Sequence, residues 1–115
     1  MSCGFLNDAN RKNARYPVEL RLELHDRGTW STKSDNISET GAMFFVNHPF
    51  DVGKEVDVTL HVPRRDFYEY IKVQTRLQII WQKQFGIKYG HGVRFSNFSG
   101  DGAKQWMTYM STLHN

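Results

Sequence analysis

Runs in which apolar and polar residues trade places at every step recur along this chain, and a period of two is the mark of strands with one buried face. Val18, Leu20, Leu22 and Leu24 alternate with Glu19, Arg21 and Glu23, and Val56, Val58, Leu60 and Val62 alternate with Asp57, Thr59 and His61. In the longest run Val73, Thr75, Leu77, Ile79 and Trp81 share one parity against Lys72, Gln74, Arg76, Gln78 and Gln82. Turn residues separate the runs. Asp26-Arg27-Gly28 reads as a hairpin turn into a strand through Trp30 that ends near Asp35. A polar turn, Asn36 to Gly41, leads to a short apolar core strand, Ala42 to Val46. Asn47-His48-Pro49 breaks that strand, and Asp51-Val52-Gly53 turns the chain again. A further turn is expected around Gln82 to Gln84, ahead of Phe85, Ile87 and Tyr89. Gly90-His91-Gly92 then marks a bulge or a close approach before Val93 and Phe95. About six strands with short connections predict a meander or a barrel.

The last segment changes period. Ala103, Trp106, Met107, Met110 and Leu113 fall at i, i+3, i+4, i+7 and i+10, one stripe of a helix, with Ser99 or Asp101 as the N-cap. A single amphipathic helix after a run of strands is expected to lay that stripe across an open end of the sheet.

Composition narrows the function classes. A chain of 115 residues with 39% hydrophobic and 14% aromatic residues has the size of one domain and enough apolar surface for a packed core. The formal net charge of +3 comes from cations interleaved with acids, which argues against a dedicated DNA binder. Cys3 is the single cysteine, so no internal disulfide can form. The first ten residues lack an apolar run of signal-peptide type, and no segment approaches the roughly 20 apolar residues of a membrane span; a cytoplasmic location without membrane insertion is the expectation. His25, His48, His61, His91 and His114 are scattered without metal-ligand spacing. Ser38 lies outside any Gly-x-Ser-x-Gly context, so neither a metal site, a cofactor nor catalytic machinery is expected, and the chain reads as a non-enzyme.

Two short patterns flank the first hairpin: Arg11-Lys12-Asn13-Ala14-Arg15 and Asn36-Ile37-Ser38-Glu39-Thr40-Gly41. A guanidinium forks two hydrogen bonds onto phosphate oxygens or stacks on a base, and Asn and Ser offer donors and acceptors sized for a base edge. Each pattern has a plainer reading. Arg11 and Arg15 could decorate a polar arm, and the second pattern could be a side-chain-capped turn that needs positive φ at Gly41.

Taken in this order, joined by a hairpin, the patterns resemble the PilZ domain, whose signature is Arg-x-x-x-Arg followed by (Asp/Asn)-x-Ser-x-x-Gly. Gly92-Val93-Arg94-Phe95 is similar to that family's Gly-Val-x-Phe strand ahead of its last helix. The resemblance implies an all-β fold, a six-stranded antiparallel barrel with a C-terminal helix. It places a flexible arm at residues 1–10 and one domain at 11–115. It also implies a ligand, cyclic di-GMP, gripped at its phosphates and guanines by Arg11 and Arg15, bonded at a guanine edge by Asn36, held by Ser38 and approached by the backbone at Gly41. An arm that folds over the ligand would make a new surface for an unidentified downstream protein. The chain departs from the family pattern at Asn10, where many members carry a further arginine, and at Asn36, where many carry Asp. The alternatives are an adaptor of the same family without nucleotide binding and a small barrel that binds single-stranded nucleic acid. Trp81 is an outside candidate for stacking on guanine, against a role in packing at the barrel lip.

Overall fold

The computed structural model describes residues 14–64 and 69–113. Arg11 and the 1–10 arm, Asn10 included, lie outside the described residues. Six strands follow one another: β1 Arg21–His25, β2 Thr29–Ile37, β3 Gly41–Val46, β4 Glu55–Pro63, β5 Tyr70–Phe85 and β6 Lys88–Phe98. The helix α1, Gly102–Leu113, comes last. Every neighbouring pair is antiparallel, and the order β1-β2-β3-β6-β5-β4 closes into a barrel as β1 meets β4. Closure leaves each strand one face toward the interior, which is why the period-two runs persist.

The inward residues form one core. Leu22, Leu24, Val58, Leu60, Leu77 and Ile79 are each at most 1% exposed, with Phe44 and Ile37 beside them. The segment before β1 is extended and docked rather than part of the ladder. The buried Ser34 hydroxyl donates to the Val18 carbonyl at 2.6 Å and accepts from the Leu20 amide at 2.8 Å, while the Ser34 amide donates to the Leu20 carbonyl at 2.8 Å, so side chain and backbone hold the segment together.

One end of the barrel is closed by α1. Its buried residues are Gly102, Trp106, Tyr109 and Met110, so the apolar face is rotated from the expected stripe: Ala103 is exposed and Met107 is 45% exposed. Gly102 sits against Val73 and Phe98, at 3.2 and 3.5 Å from where a Cβ would lie, so the helix starts with its glycine and not Ala103 toward the barrel. Asp101 is the N-cap by its carbonyl, which accepts from the Gln105 amide at 2.9 Å.

The opposite end is plugged by the loop after β3, where Phe50 is 1% exposed and meets Trp30, His48 and His91 edge-on. His91 is fully buried, stacks on Phe44, and accepts the Phe50 amide at Nε2 over 3.0 Å. Burial holds its pKa below the ordinary value of 6.5, outweighing the opposing influence of the Tyr89 backbone. The unfolded chain therefore takes up a proton near pH 6.5 that the fold resists. This stabilisation is complete above pH 6.5 and declines as the pH falls through 6.5 toward the folded value, by at most about 1.4 kcal/mol per pH unit. Urea denaturation across this range should show the decline, and His91→Phe should flatten it. An equal slope in the variant would remove His91 as its source.

The longest strand runs further than its sequence suggests. No turn occurs at Gln82 to Gln84: β5 continues to Phe85, and the reversal is Gly86-Ile87, with Gly86 at φ 63° and Phe85 facing Lys88. Glycine at the first central position of a two-residue hairpin loop suits the right-handed twist of the strands it joins, whereas the Gln-Lys-Gln segment offers no residue suited to positive φ.

Candidate functional site

The two sequence patterns meet on the outside of the barrel. Tyr16 forms an isolated bridge with Ile37, its amide donating at 2.8 Å and its carbonyl accepting at 2.9 Å, and this pins the entering chain to the end of β2. Arg15 thereby lies beside Asn36, and its Nη1 donates to Asn36 Oδ1 at 3.0 Å.

Asn36 reaches that side only through an irregularity. The β2–β3 register shifts by one residue between Ser34, opposite Phe44, and Asn36, opposite Met43. Asp35 is the extra residue, and a bulge of this kind flips the parity of the residues after it. Ser34 is buried, and Asn36 joins the outer face instead of following it inward.

The turn after Asn36 is held by Ser38. Its Oγ accepts from the Gly41 amide at 3.1 Å and the Thr40 amide at 3.3 Å, and its own amide donates to the Gly41 carbonyl at 2.8 Å. The hydroxyl proton has only long contacts, at 3.4 and 3.5 Å, and so is available to an incoming acceptor. The capped-turn reading therefore holds for Ser38, but its expectation of positive φ at Gly41 does not: among the described residues the positive-φ glycines are Gly28, Gly53, Gly86 and Gly100. Gly41 is needed for space. It opens β3 opposite Arg94, and a Cβ there would overlap the Val93 carbonyl oxygen of β6.

A second shift delivers Trp81. Val93 pairs with Ile79 and Gly92 with Trp81, leaving Ile80 as the extra residue of β5. Trp81 departs from the inward parity of Ile79 and turns outward, 38% exposed, with its indole lying so close over Gly92 that any Cβ at position 92 would collide with it. The Gly90-His91-Gly92 signal is thus a close approach, and the bulge lies across from it on β5.

Arg15, Ser38, Thr40, Gly41, Trp81 and Arg94 are the main walls of one open recess of about 160 Å3. That is below the roughly 300–1,000 Å3 of pockets that engulf a drug-sized ligand, so the recess has room for one flat group and not for a whole larger ligand. Arg15 and Arg94 make no ion pair among the described residues, and no carboxylate lines the recess. Two guanidiniums without a carboxylate partner, a hydroxyl donor and an indole face suit a planar anionic ligand. Sequence reasoning did not place Arg94 or Thr40 here and left Trp81 outside; the glycine opposite an aromatic across a hairpin was the available signal. No group of three His, Cys, Asp or Glu among the described residues could hold a metal, and no described helix is long and apolar enough to cross a membrane.

The PilZ domain model matches residues 9–110. No curated protein sequence matches the chain significantly. Among solved structures it is similar to the Bacillus subtilis inhibitor of motility (MotI/DgrA), with a TM-score of 0.74 and 14% identity over 87% of this chain and 48% of that one. The chain thus spans about half the length of that protein, and the likeness is one of fold.

Proposed function

Because this chain belongs to the PilZ family, we propose that the recess binds cyclic di-GMP and that the protein is a receptor or adaptor without catalytic activity, acting in the cytoplasm on a downstream protein. One observation carries the reading: Arg15, Asn36 and Ser38, from two separate sequence patterns, converge beside the free guanidinium of Arg94 and the exposed face of Trp81. In this reading a guanine stacks on Trp81, the arginines hold the phosphates, and the Ser38 proton meets a ligand oxygen. Arg11, at the start of the domain next to the arm, adds a further guanidinium ahead of Arg15. The Asn36 Oδ1 carries two lone pairs, one of which accepts from Arg15 in the free protein, so the other can take a guanine N–H while the arginine stays in place.

Calorimetric titration tests the proposal, with GTP and a short oligonucleotide as controls. Arg11→Ala and Arg15→Ala each remove charge-assisted bonds worth about 1.5–3 kcal/mol, which is roughly ten- to a hundredfold in affinity. Trp81→Ala removes a stacking face worth about 1–3 kcal/mol per base. Affinity for cyclic di-GMP equal to that for GTP, or unchanged in all three variants, refutes the assignment. Tight, salt-sensitive oligonucleotide binding would favour the nucleic-acid alternative.

A further inference from the structure

The β5–β6 hairpin outruns its neighbour. β4 begins at Glu55, opposite Gln78, whereas β5 continues to Phe85. The loop before β4 extends the pairing by one residue: the Gly53 amide donates to the Ile79 carbonyl at 2.8 Å, and the Ile79 amide donates to the Lys54 carbonyl at 2.9 Å. Beyond that point the loop reaches β5 only through the Gln82 side chain, which donates to the Phe50 carbonyl at 3.1 Å. Among the described residues no backbone hydrogen bond joins residues 80–85 to anything except β6. The sheet is a closed barrel below Ile79 and an open ribbon above it.

An antiparallel ladder points the N–H and C=O groups of alternate residues to opposite sides of a strand. With Phe85 and Lys88 closing a two-residue loop as a hydrogen-bonded pair, Gln84 and Gln82 present their main-chain groups to the open side. The side chains along this edge are accessible: Ile80 is 41%, Trp81 38% and Phe85 45% exposed. Charge is one-sided here. Residues 71–100 carry Lys72, Arg76, Lys83, Lys88 and Arg94 and not one Asp or Glu. Arg76 is engaged by Asp57 and Glu55, but Lys83 and Lys88 make no ion pair among the described residues, and the Lys83 ammonium sits 5.4 Å over the Phe85 ring.

We propose that this open edge of β5, residues 80–85, receives an extended acidic and apolar segment of a partner protein by strand addition. Main-chain bonds to Gln82 and Gln84 would supply affinity. Trp81 and Phe85 would pack the segment's apolar side chains, and Lys83 would select carboxylates between them. A second copy of this chain fits less well. A twofold antiparallel pairing centred on this edge brings Lys83 against its own counterpart, and a lone edge lysine is a known guard against such self-pairing. The surface is separate from whatever occupies the recess, apart from Ile80 and Trp81, which border both.

The test uses the isotopically labelled full chain and two blocked synthetic peptides, Thr-Val-Thr-Glu-Thr-Val-Thr and the same peptide with lysine in place of glutamate, so that valine, the charged residue and valine share one face opposite Trp81, Lys83 and Phe85. The glutamate peptide should bind at least about tenfold more tightly than the lysine peptide. It should also slow amide exchange at Gln82 and Gln84, which is expected to be fast in the free protein. Lys83→Glu should invert the preference between the peptides while keeping the same two amides as the protected ones. Equal affinity for both peptides, protection elsewhere than the edge, or slow exchange at both amides before any peptide is added would overturn the proposal. So would self-association that protects these amides, or binding to anionic phosphatidylserine vesicles without binding to the glutamate peptide.

Discussion

Replacing Gly41 with valine should destabilise the fold by more than about 4 kcal/mol, a loss large enough to leave little folded protein at physiological temperature. The first added carbon already overlaps the Val93 carbonyl oxygen. That carbonyl cannot retreat alone, because β6 is held against this turn on both sides of the clash. Gly41 pairs with Arg94, and the Phe95 amide donates to the Thr40 carbonyl at 2.8 Å. Ala42 and Val93 face each other in the core one step along. Gly41→Ala isolates the effect, since alanine adds the offending Cβ without branching, and its cost should be most of valine's. Denaturation midpoints in urea measure both. An alanine variant as stable as the parent would mean that β3 and β6 separate easily here, and Gly41 would then have to be explained by the ligand. Because the same glycine borders the recess, binding has to be measured on the folded fraction.

Truncating Trp106 to alanine should cost about 3–5 kcal/mol, as expected for a large buried aromatic. Trp106 is 1% exposed and meets Phe95 edge-on at 5.3 Å, with Phe98 and Tyr109 alongside. It also ties the helix to the site. Its indole Nε1–H donates to the Glu39 carbonyl at 3.0 Å, inside the turn that Ser38 caps. Trp106→Phe keeps much of the packing and deletes that bond, and should cost less than half as much, about 1–2 kcal/mol. It should also raise amide exchange in residues 38–41 while β1 and β4 stay protected. If the two substitutions cost the same, the hydrogen bond and not the packing is what matters. If the turn is undisturbed in Trp106→Phe, the helix does not support the site.

Much of this architecture could be read from the chain alone because it depends on local periods. Strands β4 and β5 follow from alternation that a buried face enforces, and the hairpin at Asp26-Arg27-Gly28 from Gly28, which takes φ 122° freely, whereas the φ of 55° at Arg27 is one that arginine seldom adopts. The helix followed from its period, but its facing did not. Which side is buried depends on what Gly102 meets in Val73 and Phe98, partners about 30 and 4 residues away.

The period-two runs, the capped turn at Ser38 and the two patterns that mark the family are local features, legible in the chain. Their assembly into a site depends on how the strands pair. The extra residues Asp35 and Ile80 exist as bulges only relative to a partner strand, since a register shift is a property of two strands and leaves no trace in either one. Each reverses the parity of the residues after it, turning Asn36 toward Arg15 and Trp81 out over Gly92, where simple alternation would have buried both. Arg94 joins them because β6 lies beside β3 in the closed barrel, a neighbour relation across more than 50 residues that no local pattern encodes.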